Sequence, residues 1–175
     1  MIKVTAKTRY MLMVAGAIFV GSAAADPVTI NVTGKVIAAA CTIDNNGKYD
    51  VDLGQNLSAV RLNSATPYSE WKTFNVTLSQ CPAGTTKVTA RFSGIENTAR
   101  NDMYANAAGD GYAKNIAIEL QRTTGGVNAG NGKALTVDVD SLRKATFDLQ
   151  ARVYGIGGAT PGNIASVVTL DFAYN

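Results

Sequence analysis

The stretch Val28-Thr29-Ile30-Asn31-Val32-Thr33-Gly34-Lys35-Val36 places apolar or small residues at every second position and polar ones between them. Successive side chains of a strand point to opposite faces, so this alternation is that of a half-buried β-strand. One residue departs from it: Gly34 stands on the apolar face. Glycine weakens a strand and marks a place where another group approaches closely. The residues upstream explain why this strand comes so early. Lys3, Lys7 and Arg9 make a positive segment, and Met11 to Val20 is an apolar run of ten residues, too short to span a bilayer. Gly21-Ser22-Ala23-Ala24-Ala25 supplies small residues for cleavage after Ala24 or after Ala25. Residues 1–24 are therefore expected to be a secretory signal peptide, which makes the alternating stretch the start of the mature chain.

The signal peptide changes how the charge is read. The formal charge of +3 is carried wholly by Lys3, Lys7 and Arg9, because no acidic residue precedes Asp26. The mature chain is formally neutral, so the basic balance gives no reason to expect nucleic acid or an acidic surface as partner. The two cysteines, Cys41 and Cys81, are an even count in an exported chain and predict one disulfide, the alternative being two buried thiols. The 175 residues contain no histidine. That removes Ser-His-Asp and Cys-His catalysis and every His-containing metal site, and no cofactor is expected.

Period-2 patterning continues along the chain. Tyr49 to Leu53, Phe74 to Leu78, Val88 to Phe92, Ile116 to Leu120, Leu135 to Val139 and Phe147 to Val153 all alternate. Ile164, Ser166, Val168, Leu170, Phe172 and Tyr174 share one face of a last strand. Asp44-Asn45-Asn46-Gly47 reads as a turn tolerant of left-handed backbone, and residues 123–133 and 155–162 as Gly-rich turns. Residues 95–111 show no period and read as a long loop. About eight short strands separated by turn signals at intervals of about ten residues predict an all-β sandwich, with no amphipathic helix. Both outer segments are strongly patterned, although chain ends are ordinarily frayed and polar.

These residues together resemble the type 1-like fimbrial subunits of the chaperone–usher class, most of all their minor tip-adaptor subunits. The early alternating strand followed by Cys41-Thr42 carries the resemblance, with Val51-Asp52-Leu53-Gly54, Cys81-Pro82 and Phe147 to Arg152. So do Gly158-Ala159-Thr160-Pro161-Gly162, the penultimate Tyr174, and Gly162 as fourteenth residue counted from Asn175. The resemblance implies an incomplete immunoglobulin-like β-sandwich lacking its last strand, completed by donor-strand exchange. It implies a donor extension over residues 25–37, with Val28, Ile30, Val32, Gly34 and Val36 entering a neighbour's groove, and a pilin domain over 38–175. Gly162, Ile164, Val168, Leu170, Phe172, Tyr174 and Asn175 would form the strand that meets first a periplasmic chaperone and then the next subunit. The implied partners are that chaperone, an outer-membrane usher, and neighbouring subunits including a tip adhesin. The implied place is the fimbrium on the bacterial surface, reached through the periplasm.

Asp138, Asp140 and Asp148 could supply a glycosidase carboxylate pair, but a solvated strand face explains them more simply. Gly132-Lys133 lacks the spacing of a phosphate loop. Asp44 to Gly47 lacks the remaining ligands of a calcium loop. Trp71 and Tyr68 could stack on a sugar in a free-standing secreted carbohydrate-binding sandwich, the competing function. That alternative requires a complete fold.

Overall fold

The computed structural model describes residues 29–35 and 40–175. Eight strands occur among them, in two sheets. They are β1 (Thr42–Ile43), β2 (Lys72–Ser79), β3 (Lys87–Gly94), β4 (Tyr104–Ala105), β5 (Ile116–Arg122), β6 (Ala134–Asp138), β7 (Ala145–Gly155) and β8 (Val168–Tyr174). One sheet has the order β1-β2-β7-β5-β4 and the other the order β6-β3-β8, and every ladder is antiparallel.

The alternation in the sequence becomes the inner face of each strand. Val88, Ala90 and Phe92 on β3 are fully buried, as are Phe147, Leu149 and Val153 on β7. Ile116, Ile118 and Leu120 on β5 pair with Gly155, Val153 and Ala151, so their side chains share the same inner face. Cys41 and Cys81 are bonded to each other, as expected, beside the β1–β2 ladder. Asn45, Asn46 and Gly47 all have positive φ (54°, 52° and 72°), the left-handed backbone that the Asp-Asn-Asn-Gly turn foretold.

Several expectations need correction. The alternating stretch Tyr49 to Leu53 belongs to no ladder among the described residues. The region 95–111 is not wholly loop: Tyr104–Ala105 pairs with Ile118 and Ala117. Tyr104 is fully buried, its hydroxyl donates to the Ala129 carbonyl at 2.7 Å, and burial pushes its phenol well above the ordinary value. A single helical turn, α1 (Ala59–Leu62), was not foreseen. The Ser58 hydroxyl accepts from the Arg61 N–H, and Leu62 is the turn's one buried residue. The last strand starts at Val168, so Gly162, Ile164 and Ser166 precede it. They are drawn aside by the 106–113 loop: Asn163 N–H donates to Gly111 O at 2.7 Å and Ala113 N–H to Asn163 O at 3.0 Å.

Gly162 has a physical reason at this place. A β-carbon there would stand 2.3 Å from the Ala113 backbone nitrogen, and its φ of 153° disfavours other residues. Gly162→Ala is expected to cost on the order of 3 kcal/mol through forced overpacking, read as a lower urea midpoint with an unchanged slope. A midpoint within error of the parent would contradict this close packing.

Candidate functional site

The sandwich is open along one side. Among the described residues β8 is an edge strand, hydrogen-bonded to β3 alone. Its register sets Val88 against Tyr174, Ala90 against Phe172, Phe92 against Leu170 and Gly94 against Val168. The β3 side chains Val88, Ala90 and Phe92 are fully buried, whereas their β8 partners Tyr174, Phe172 and Leu170 are only half-buried. The difference lies across the sheet: the inner face of β8 looks onto a cleft of about 970 Å³ between the two sheets. An edge strand with an uncovered apolar face carries two costs, apolar surface in water and unpaired backbone groups.

The cleft has two rims and a floor. One rim is β8 with the preceding Ile164. The other is the segment Tyr49 to Leu53, which belongs to no strand among the described residues. Phe74 and Val76 of β2, Leu149 and Ala151 of β7, and Ile118 and Leu120 of β5 make the floor. Phe172 leans on Phe147, with ring centroids 5.8 Å apart. The Tyr49 hydroxyl anchors its rim by donating to the Asp44 carbonyl at 3.2 Å, and it also accepts from the Thr77 N–H at 3.3 Å. At the other end of that rim, the Asp52 carboxylate accepts from Gly54 N–H and Gln55 Nε2, both at 2.9 Å. The Gly54 bond is the main reason its carboxyl is held below the usual carboxylate range. This turn is thus held at neutral pH and released as pH falls through the lowered pKa. Partial burial raises the Tyr174 phenol. The Asn175 carbonyl accepts from Thr86 N–H and Lys87 N–H at 2.6 and 3.0 Å, which fastens the end of β8.

The groove-strand residues named from the sequence thus come together, Val168, Leu170, Phe172 and Tyr174 on the strand and Ile164 just before it. Gly162 lies at the cleft's end in the turn before Ile164. The second rim and the floor were missed, although the Tyr49 to Leu53 alternation was the available signal. Of the proposed donor residues, Val28 and Val36 lie outside the described residues. Thr29 to Lys35 forms no ladder, and Ile30 and Val32 are 80% and 89% exposed.

The competing site candidates have other occupations. Arg152 lies between Tyr68 and Trp71, its guanidinium carbon 4.1 Å from each ring centroid, and its Nε donates to Glu119 at 2.6 Å. One face of each aromatic ring is therefore taken by a cation. Asp138 pairs with Lys87, and Asp140 accepts from Leu142 N–H and Lys144 N–H, each at 2.9 Å, closing the turn into β7. Among the described residues, no group of His, Cys, Asp and Glu is arranged to hold a metal.

Two antiparallel sheets, an edge strand with no outer neighbour among the described residues and an apolar cleft where a further strand would lie define an immunoglobulin-like β-sandwich lacking its last strand. The family model described as "Fimbrial protein" matches residues 30–175, and the chain belongs to that family. It is 39% identical to Protein FimG of Escherichia coli strain K12 over 97% of this chain and 98% of that protein. It is also 39% identical to S-fimbrial adhesin protein SfaS of Escherichia coli O6:K15:H31, over 87% of this chain and 88% of the relative. The crystal structure of the P pilus rod subunit PapA superposes with a TM-score of 0.60 at 21% identity, over 78% of this chain and all of that one. The chain is a fimbrial subunit.

Proposed function

We propose that the cleft between β8 and Tyr49–Leu53 is filled by the N-terminal segment of a neighbouring fimbrial subunit, and that this chain's own Val28 to Val36 fills the cleft of the next. The observation that carries the reading is the half-burial of Leu170, Phe172 and Tyr174 opposite the fully buried Phe92, Ala90 and Val88 on β3. An added strand completes the sheet by main-chain bonds, and its alternate side chains enter the groove. Val28, Ile30, Val32 and Val36 supply those side chains. Burying four of them contributes about 6–12 kcal/mol gross. Gly34 meets the shallow part of the groove.

Topology favours one orientation. β8 runs from the Gly94 end of the sandwich to the disulfide end, where Tyr174 faces Val88. The donor segment precedes Cys41, so it leaves its own domain from the disulfide end. A donor antiparallel to β8 puts residue 36 at the Gly94 end of the acceptor. The donor's disulfide end then meets the acceptor's opposite end, and the same contact repeats without limit in one direction. A parallel donor would bring two disulfide ends together and break that repeat.

Before assembly the same edge of β8 takes a strand of a periplasmic chaperone, with Asn175 as its anchoring point, and an outer-membrane usher exchanges it for the next subunit. The assembled fimbrium stands outside the cell. A chain with its own donor segment is an internal subunit of the fibre. The local resemblance near Cys41 and Pro82 favours a tip adaptor, with an adhesin among its neighbours, over a major rod subunit.

A synthetic peptide of residues 26–38 tests the groove reading. Added to protein that begins at residue 38, it is expected to raise the unfolding temperature with saturation, as mass action requires of a ligand that binds the folded state. The same peptide carrying Ile30→Asp is expected to have no effect. Equal shifts with both peptides, or with neither, would contradict the reading.

A further inference from the structure

We propose that the groove selects a donor strand that carries lysine or arginine on its solvent-facing row, and so favours another subunit's segment over a copy of its own. This rests on the donor-strand reading above and adds the chemistry of the partner. A strand lying in the cleft turns alternate side chains inward and the others to solvent. The solvent-facing ones stand beside the solvent-facing side chains on either flank, close enough for charges to attract or repel. Where the apolar contacts are equal, the outer rows of β8 and of the Tyr49 to Leu53 rim therefore decide which strand fits best.

Both rows carry carboxylates. Along the rim, Tyr49, Val51 and Leu53 are half-buried, and Asp50 and Asp52 are exposed. Along β8 the exposed residues are Thr169, Asp171 and Ala173. Among the described residues, Asp50 and Asp52 are the charged residues that line the cleft, and no lysine or arginine lines it. Asp52 Oδ1 accepts both Gly54 N–H and Gln55 Nε2, which leaves Oδ2 without a partner among the described residues. The nearest cations are held weakly or stand outside the cleft. Lys48 lies 3.6 Å from Asp50, but the two side chains are 79% and 85% exposed. An ion pair so exposed contributes little. Lys72 attracts Asp52 from outside the cleft, where it lines a second hollow with Leu53, Gly54 and Gln55. Arg91 is the β3 partner of Asp171, on the side of β8 away from the cleft. The two form no ion pair among the described residues.

Carboxylates thus flank the strip where the added strand lies, Asp50 and Asp52 on one side and Asp171 on the other. Carboxylates alone make no site. Here they border an apolar cleft and a strand edge that a further strand would fill. A donor with acidic residues on its outer row brings like charges side by side, and a donor with basic residues pairs with them. This chain's own outer row is Thr29, Asn31, Thr33 and Lys35, with one cation. Its segment fills such a groove, and a segment with two or more cations fills it better. The apolar side chains supply most of the affinity, and the charges bias which subunit follows which.

The test is peptide affinity, measured on the mature chain carrying Ile30→Asp, whose own donor segment is disabled. Peptides of residues 26–38 are compared in three forms: unaltered, Asn31→Lys/Thr33→Lys, and Asn31→Glu/Thr33→Glu. Their inward side chains are the same, and lysine and glutamate are both poor strand formers, so the two altered peptides differ chiefly in charge. At low salt the lysine peptide is expected to bind about tenfold tighter than the glutamate peptide, with the unaltered one between them. At about 1 M salt, where the screening length falls to about 3 Å, the gap should close. It should also narrow in protein carrying Asp50→Asn/Asp171→Asn, which spares Asp52 because that carboxylate holds the rim turn. Equal affinities at low salt, or a gap that persists unchanged without those two carboxylates, would overturn the charge selection and leave the donor reading standing. Binding of none of the peptides would overturn both.

Discussion

Ile30→Asp is expected to abolish incorporation into fibres while leaving the subunit's own unfolding unchanged. Ile30 is 80% exposed, so within its own chain the substitution removes no buried contact. In a neighbour's groove it would lose about 1.5–3 kcal/mol of apolar burial. It would also bring a carboxylate among Phe74, Leu149 and Phe172, at a further cost of several kcal/mol. A combined loss of about 5 kcal/mol weakens strand exchange by three to four orders of magnitude. The bulky Gly34→Leu should block assembly for a different reason, by clash at the shallow part of the groove. The measurement is the amount of subunit recovered in sheared fibres, set against its periplasmic pool. Normal incorporation of Ile30→Asp would remove Val28 to Val36 from the donor role.

The second large effect is expected from Cys41→Ser/Cys81→Ser. The disulfide closes a loop of 40 residues, which in the chain-entropy model contributes about 3–4 kcal/mol. Its position adds to the consequence. β1 is only two residues long, pairing Thr42 with Ser79 and Ile43 with Leu78. The rim from Tyr49 to Leu53 follows after the Asp44–Gly47 turn and has no ladder of its own among the described residues. Freed from Cys81, this end of the chain would be held mainly by β1 and by the Tyr49 hydroxyl. The loss should therefore fall on the groove before the rest of the sandwich. A lower unfolding temperature is expected, together with weaker binding of the 26–38 peptide than the change in stability alone accounts for. Unchanged peptide binding in a folded double variant would contradict that placement.

How much of this could be read from the sequence depended on whether a pattern reports burial or pairing. Val88, Ala90 and Phe92, or Phe147 and Leu149, alternate because one face is buried, and their strands also have neighbours on both sides. For them the two readings coincide. Tyr49 to Leu53 alternates between half-buried and exposed residues, yet it belongs to no ladder among the described residues, so it lines the cleft as a rim without being a strand. Tyr104–Ala105 and α1 were not legible because two residues and one turn are too short to show a period. Tyr104 is a buried anchor inside a stretch of small and polar residues, where composition predicts loop. The Arg152 stack with Tyr68 and Trp71 unites residues far apart in the chain, and no local signal announces it. The β8 edge was legible because its apolar face is written in Val168, Leu170 and Phe172. The floor of the groove required the packing of β2, β5 and β7 behind it.

Thermal unfolding of two forms of the protein tests the central claim most directly. One form spans residues 25–175. The other begins at residue 37 and carries a copy of residues 26–38 after Asn175, joined by a flexible linker long enough for the copy to lie antiparallel to β8. The account predicts that the linked form is a stable monomer that melts at a much higher temperature, while the plain form is less stable and forms chains. An equally stable, reversible monomer from both forms would mean that the cleft needs no added strand, and would contradict the account.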